Sequence, residues 1–270
     1  MSLSSFRCDI DRKIFYFSVT GNGTYNICAM ENGEILLTET DWDLVKGIEY
    51  FLAPWSKNVL KNPELNTSAF GKFGNYGNIN LKFIHIPKTG GTSIENFGFF
   101  YGFKWGKVDK NYYNKFKTTS PGSIWHATLP TLPDEFYDGY DKFCVVRNPY
   151  DKILSSVYCG FRSSYPETKE DFNLEIKTNI LSNNNIHYAR QYDYVYKNDK
   201  KIVQHVLRFE NLKSDLENLL LSYGIKSDFN IKSNKSHPKK YTLLDISKDN
   251  LEIINKFYDK DFEAFGYKKL

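Results

Sequence analysis

Within nine residues the segment His85-Ile86-Pro87-Lys88-Thr89-Gly90-Gly91-Thr92-Ser93 gathers one lysine, two glycines and three hydroxyls. Such a set suits an anion. Glycines let backbone N–H groups come close, a helix N-terminus adds its unsatisfied amides, hydroxyls donate, and Lys88 supplies a point charge. The order departs from the nucleotide-triphosphate loop G-x-x-x-x-G-K-[ST], because the lysine precedes the glycines and no glycine stands at the upstream position. The plainer alternative is a Gly-Gly turn that only joins a strand to a helix. A second segment, Arg147-Asn148-Pro149-Tyr150-Asp151-Lys152-Ile153-Leu154-Ser155, pairs a guanidinium with a hydroxyl. Ser155 falls about two turns into the helix that Asn148 would open, some ~9 Å along its axis, so both groups can turn toward one phosphate monoester. Taken singly, Arg147 could equally serve an ion pair with Asp151, and Ser155 a helix surface.

Other elements must position these segments. Leu81 to Ile86 is β-prone and runs into the first segment, and a helix is expected from Thr92 toward Phe100. Phe143 to Val146 reads as a second buried strand. Asn148 is a good N-cap and Pro149 suits the first helical position, with Ile153, Leu154, Val157 and Tyr158 facing inward. Ile202 to Phe209 reads as a third strand, and Leu212, Leu216, Leu219 and Leu220 keep helical spacing before Gly224, a natural C-cap. A last helix, about Lys248 to Phe265, carries Leu251, Ile254, Tyr258, Phe262 and Phe265 on one face. Strands alternating with helices imply an α/β fold, a P-loop-like parallel sheet flanked by helices. Upstream, Lys13 to Thr20, Thr24 to Ala29 and Glu34 to Thr38 are separated by Gly21-Asn22-Gly23 and Glu31-Asn32-Gly33, which predicts a three-stranded antiparallel meander. From Pro54 to Asn80 the composition turns to Asn, Gly, Lys and Ser, a linker signal. The chain thus divides into a small β-rich extension with linker, residues 1–78, and a main domain, residues 79–270. No internal repeat is visible.

Composition bounds the partners. The charge is +4, from 36 Lys+Arg against 32 Asp+Glu, and the mean hydropathy is −0.52. There is no basic tail of the kind that nucleic-acid binding uses, and no window nears the ~20 apolar residues a membrane helix needs. Met1 to Asp9 lacks a charged start followed by an apolar run, so a cytoplasmic setting is expected. Cys8, Cys28, Cys144 and Cys159 form no C-x-x-C pair and have no histidine at zinc-ligand spacing, so they read as reduced, mostly buried residues.

The loop from Pro87 to Ser93 resembles the 5′-phosphosulfate-binding loop of sulfotransferases that use 3′-phosphoadenosine 5′-phosphosulfate (PAPS), and Arg147 to Ser155 resembles their 3′-phosphate-binding segment. The likeness is closest to the carbohydrate branch that includes the glycan 2-O-sulfotransferases. It extends to Leu207-Arg208-Phe209-Glu210-Asn211-Leu212, Asn234-Lys235-Ser236 and Phe257 to Tyr267, roughly residues 79 to 270, whereas residues 1–78 show no recognisable likeness. The resemblance implies that Lys88 holds the bridging oxygen and sulfonate of PAPS. Thr92 and Ser93, with the loop amides of Thr89, Gly90 and Gly91, would take the 5′-phosphate, and Arg147 and Ser155 the 3′-phosphate. Lys235 and Ser236 would close over the adenosine or 3′-phosphate, the alternative being a solvated basic loop.

Trp125-His126-Ala127-Thr128 resembles the place where this branch carries its catalytic histidine. His126 would then be the base for the acceptor hydroxyl, with a histidine that merely lines the cleft as the alternative. His85 reads as structural, and His187, His205 and His237 have weaker claims. Arg190 and Gln191 resemble an acceptor-channel position, and Trp125 could stack on a sugar. A lysine on the leaving oxygen needs no metal. The product would be adenosine 3′,5′-bisphosphate, and the acceptor a hydroxyl of a glycan or glycoconjugate. Animal members carry an N-terminal membrane helix, which this sequence lacks, so a bacterial or viral cytosolic setting is expected. A P-loop kinase is the first rival, and it should show the Gly-Lys-Ser/Thr order and an acidic metal-holding residue. The second is a catalytically silent nucleotide- or glycan-binding protein, which would have no need of a base beside an anion site.

Overall fold

The computed structural model describes the backbone of six strands between Leu3 and Lys72, and residues 79–100, 103, 105, 106, 124–128, 131, 139–159, 164–225, 227 and 239–270. The main domain is built on three parallel strands, β7 (Leu81–Ile84), β8 (Asp141–Val146) and β11 (His205–Arg208), in the order β11-β8-β7. Phe83 lies opposite Phe143, and Leu207 opposite Val145. Because side chains alternate along a strand, the two faces have separate cores. Leu81, Phe83, Phe143, Val145 and Leu207 pack with Ile94 and Phe97 of helix α1 (Gly91–Phe100) and Leu216, Leu219 and Leu220 of helix α5 (Leu212–Ser222). Ile84, Cys144 and Val146 face the other way, toward Tyr194 and Val195 of the short helix α4 (Tyr192–Val195) and Phe265 of helix α7 (Asp259–Phe265). An α/β architecture with a parallel sheet flanked by helices is therefore present.

The local signals act where they stand. Asn148 caps helix α2 (Pro149–Val157), its side chain accepting from Tyr150 N at 3.0 Å, and Pro149 occupies the first turn. Ile153, Leu154, Val157 and Tyr158 are buried in a third cluster with Phe172, Ile176 and Ile180 of helix α3 (Lys169–Ser182) and Ile254 of helix α6 (Lys248–Phe257). Gly224, with φ +77°, follows α5 in the left-handed conformation that ends helices.

Three details differ from expectation. The last helix is broken: α6 stops and α7 starts around Tyr258, which is fully buried with its hydroxyl donating to the Tyr188 carbonyl. The third strand is shorter, because Ile202 N bonds to Val195 O beside the hairpin β9 (Tyr196–Lys197) and β10 (Lys200–Lys201), outside the parallel sheet. Upstream, β2 (Ile14–Val19) pairs with β1 (Leu3–Asp9) and β5 (Tyr50–Ala53), and β5 with β6 (Ala69–Lys72), while among the described residues β3 (Gly23–Glu31) and β4 (Glu34–Leu44) pair only with each other. The expected meander is thus two separate sheets, and one strand lies in the stretch read as linker. Glu31 pairs with Glu34 across β3 and β4, whereas β2 and β3 lie in different sheets; residues 21, 22, 32 and 33 of the two expected turns lie outside the described residues.

Phe143 is fully buried between Phe83, 5.0 Å away, and Trp105, 4.9 Å away. Phe143→Ala should lower unfolding free energy by about 3–5 kcal/mol. Urea melts followed by circular dichroism check this, and an unchanged midpoint would contradict the packing.

Candidate functional site

The two anion-suited segments follow the adjacent parallel strands β7 and β8. Register alone brings them together at the carboxyl ends of the sheet, where open α/β sheets bind ligands. In the first loop, Lys88 has φ +69° and Gly90 φ +90°. A lysine in the left-handed region is an uncommon conformation that functional loops retain. Left-handed residues on either side of Thr89 are the kind of backbone from which anion-binding nests are made. Ser93 N and Ile94 N fold back onto the Gly90 carbonyl at 2.9 and 3.3 Å, which starts α1. First-turn amides ahead of them have no intrahelical acceptor in any α-helix. Thr92 and Ser93 are half-buried at that end. Thr89 is fully buried and its hydroxyl donates to the Ile86 carbonyl at 2.9 Å, so only its amide remains for a ligand.

Arg147 ends β8. Its Nη1 donates to the Lys88 carbonyl at 3.3 Å, and its guanidinium lies 4.0 Å from the centre of the Phe209 ring. Its Nε is buried without a hydrogen-bond partner among the described residues. Burial pushes the guanidinium below its usual range while Asp151, Glu210 and the Tyr267 phenol push it back up. A guanidinium keeps its charge regardless, so it is a partly desolvated cation with an unused donor. The same Phe209 ring comes within 3.1 Å of where a Cβ on Gly90 would be, so it sits between the two segments. Ser155 is buried in the second turn of α2.

Gln191 is fully buried and grips the Arg147 backbone. Its Oε1 accepts from Arg147 N and its Nε2 donates to Arg147 O, each at 2.8 Å. Asp261 holds Gln191 in turn, accepting from Gln191 N at 3.0 Å and Tyr192 N at 2.8 Å. Gln191 therefore contacts the strand end, with both ends of its amide in use. Arg190 is half-buried and paired with Asp193 at 2.9 Å. Lys152, fully buried on α2, donates to the carbonyls of His187 and Ala189, both at 2.8 Å. Burial is the main cause that lowers its pKa to about 7, against the attraction of Asp261. Burial likewise raises Asp261 to about 6, opposed by the amides that donate to it.

Three histidines meet beside the loop. The half-buried His126 ring is 4.5 Å from that of His85 and 6.0 Å from that of His187, with Trp125 at 5.9 Å. Tyr194 fixes the backbone there, donating to the His126 carbonyl at 2.7 Å. Lys235 and Ser236 lie outside the described residues. Among the described residues no group of three or more His, Cys, Asp or Glu is arranged to hold a metal, and no helix is long and apolar enough to cross a membrane.

Sequence reasoning passed over Phe209, Asp261 and Lys152 as parts of the site. Lys152 did carry a signal, since it stands four positions before Ser156, on the same helix face. Asp261 and Phe209 carried none, because their partners lie 70 and 62 residues away in the chain.

The profile of the Sulfotransferase family matches residues 77–268. The chain belongs to that family, and its adjoining anion-suited loops stand in the part that matches. A curated protein of Archaeoglobus fulgidus, described only as an uncharacterized protein, is 26% identical over 110 residues, 40% of this chain and 87% of that protein. No solved structure matches.

Between the folded pKa of about 7 for Lys152 and about 10.4 in the unfolded chain, the unfolded state holds the extra proton, so stability rises with pH across that window. Thermal melts from pH 7 to 10 should show the wild type gaining on Lys152→Met. Parallel pH profiles would mean that Lys152 is not desolvated.

Proposed function

We propose that the chain transfers the sulfuryl group of PAPS to a hydroxyl of a carbohydrate acceptor and releases adenosine 3′,5′-bisphosphate. The observation that carries this reading is Arg147, a partly desolvated cation with an unused Nε donor, one hydrogen bond from the loop that holds Lys88. Two cation-bearing segments at neighbouring strand ends suit a nucleotide anionic at both the 5′ and 3′ positions of one ribose better than a single run of phosphates. The order of lysine and glycines in the loop favours it over a kinase for the same reason.

Bound PAPS would supply an activated sulfuryl group whose leaving group is a phosphate. The strand–loop–helix after β7 is read as a P-loop-like cradle, with the amides of Thr89, Gly90 and Gly91 and the hydroxyls of Thr92 and Ser93 on the 5′-phosphate. Lys88 neutralises charge at the bridging oxygen without a metal. Arg147 and Ser155 hold the 3′-phosphate, and Lys235 and Ser236 close over the nucleotide. His126 takes the proton of the acceptor hydroxyl as general base. Trp125 and Arg190 face the acceptor, and Gln191 acts through Arg147. The histidine beside the anion loop favours an enzyme over a silent binding protein. Residues 1–78 are treated as an extension separate from this chemistry, in a protein of the bacterial or viral cytosol.

Calorimetric titration with adenosine 3′,5′-bisphosphate should show binding that Lys88→Ala and Arg147→Ala each weaken by about tenfold or more, the loss of a charged hydrogen bond. Preference for ATP with magnesium would overturn the donor assignment. With labelled PAPS and a panel of glycan acceptors, His126→Ala should cut turnover by about 100-fold or more with little change in nucleotide affinity. Near-normal turnover would pass the base role to His187, Glu95 or Asp193.

A further inference from the structure

His85 and Glu95 are both buried, and His85 Nδ1 lies 2.7 Å from Glu95 Oε1. His85 ends the segment entering the loop, and Glu95 stands in the second turn of the helix leaving it, so the bond ties the two ends of the loop together. The His85 ring then touches both halves of the chemistry. Its edge-on contact with His126 is 4.5 Å between centroids at 87°. On the loop side, a Cβ on Gly91 would fall 2.1 Å from its Nε2 and 2.2 Å from its Cδ2. Gly91 is the first residue of α1 and lacks a positive φ, so its backbone would accept alanine, and the His85 ring is what excludes a side chain there. Glu95 is confined in the same way, since a Cβ on Gly106 would fall 1.9 Å from its Oε1.

We infer that Glu95 and His85 form a positioning pair: the carboxylate fixes the His85 ring, and that ring sets both the seat of the anion loop under Gly91 and the orientation of His126. The sulfuryl-transfer part of this inference rests on the function proposed above. His85 is 8% exposed, so its effect passes through its neighbours.

A double-mutant cycle tests the loop contact without substrate. Gly91→Ala should lower the melting temperature and weaken adenosine 3′,5′-bisphosphate binding about tenfold or more, because the new methyl meets an imidazole. His85→Ala/Gly91→Ala should recover most of both losses, a strong non-additivity. Additive effects, or a Gly91→Ala protein that melts and binds like the wild type, would overturn the loop half. His85→Asn can keep the bond to Glu95 while removing the outer part of the ring. Its loss in turnover should exceed any loss in nucleotide affinity by about tenfold, the split expected of a group that acts on the chemical step through its neighbour. The His126 ring resonance should move in the same variant, since a ring edge has been taken away. An unmoved resonance, or turnover within about twofold of wild type, would overturn the His126 half. Glu95→Gln keeps an acceptor oxygen and should behave nearly as wild type, whereas Glu95→Ala should resemble His85→Asn. Equal damage from both Glu95 variants would overturn a positioning role in favour of the charge. If the wild type neither binds the nucleotide nor transfers sulfate, the transferase reading fails, and the melting cycle and the His126 resonance still decide the pair.

Discussion

A guanidinium that has left part of its water must be held by something, and much of this domain is arranged around holding Arg147. Its head group has the Phe209 ring on one face and the Lys88 carbonyl as an acceptor, and its backbone is gripped on both sides by one glutamine amide. These contacts come from three parts of the chain, brought together by the parallel order β11-β8-β7. A cation placed in this way has fewer conformations to lose when an anion arrives, so more of the charge interaction is available for affinity. The same restraint joins the two loops: Lys88 O accepts from Arg147, so a shift of either segment disturbs the other.

Burying polar groups to build such a clamp is costly unless every group finds a partner. Gln191 uses its carbonyl and its amide, and Asp261 accepts two backbone amides besides the Gln191 side chain. Lys152 gives two hydrogens to carbonyls in the turn just before Gln191. Apolar residues at these positions would take away the partners of the Arg147, Gln191 and Tyr192 backbone groups and would fix no direction. The polar choice puts stiffness where the geometry of one phosphate-suited group has to be held. It also explains the break at Tyr258. With α6 ending there, the separate helix α7 starts with Asp259 and brings Asp261 under Gln191, while the Tyr258 hydroxyl fastens the same turn by way of Tyr188.

What the sequence made legible was local. The Asn148-Pro149 cap, the alternation that gives each parallel strand two buried faces, the Gly224 stop and the two anion segments depend on residues within a few positions of one another. The rest depended on pairs far apart. Nothing within ten residues of Gln191 says that its amide will bridge Arg147, 44 positions earlier. Arg190 and Gln191 look alike as neighbours beside a cleft, yet one is half-exposed in a surface pair and the other is wholly enclosed. Upstream, β2, β3 and the start of β4 were recognisable from their pattern, whereas β1, β5 and β6 were not, and pairing was not, because a turn sequence specifies a reversal without specifying the partner.

The two adjacent glycines of the anion loop show how far a motif letter can be from its cause. Gly90 meets a backbone demand, a φ of +90° that a side chain would strain, and the Phe209 ring beside it limits the space further. Gly91 meets no such demand. Its space is filled by an imidazole that Glu95 holds in place, so the glycine is required by His85, six positions earlier, and by the helix that follows. One glycine is thus tied to the end of β11 and the other to the end of β7, on opposite sides of the strand that carries Arg147. The loop is set from both flanks of the sheet, which is why a short polar turn can keep its amides in fixed directions without bulky side chains of its own.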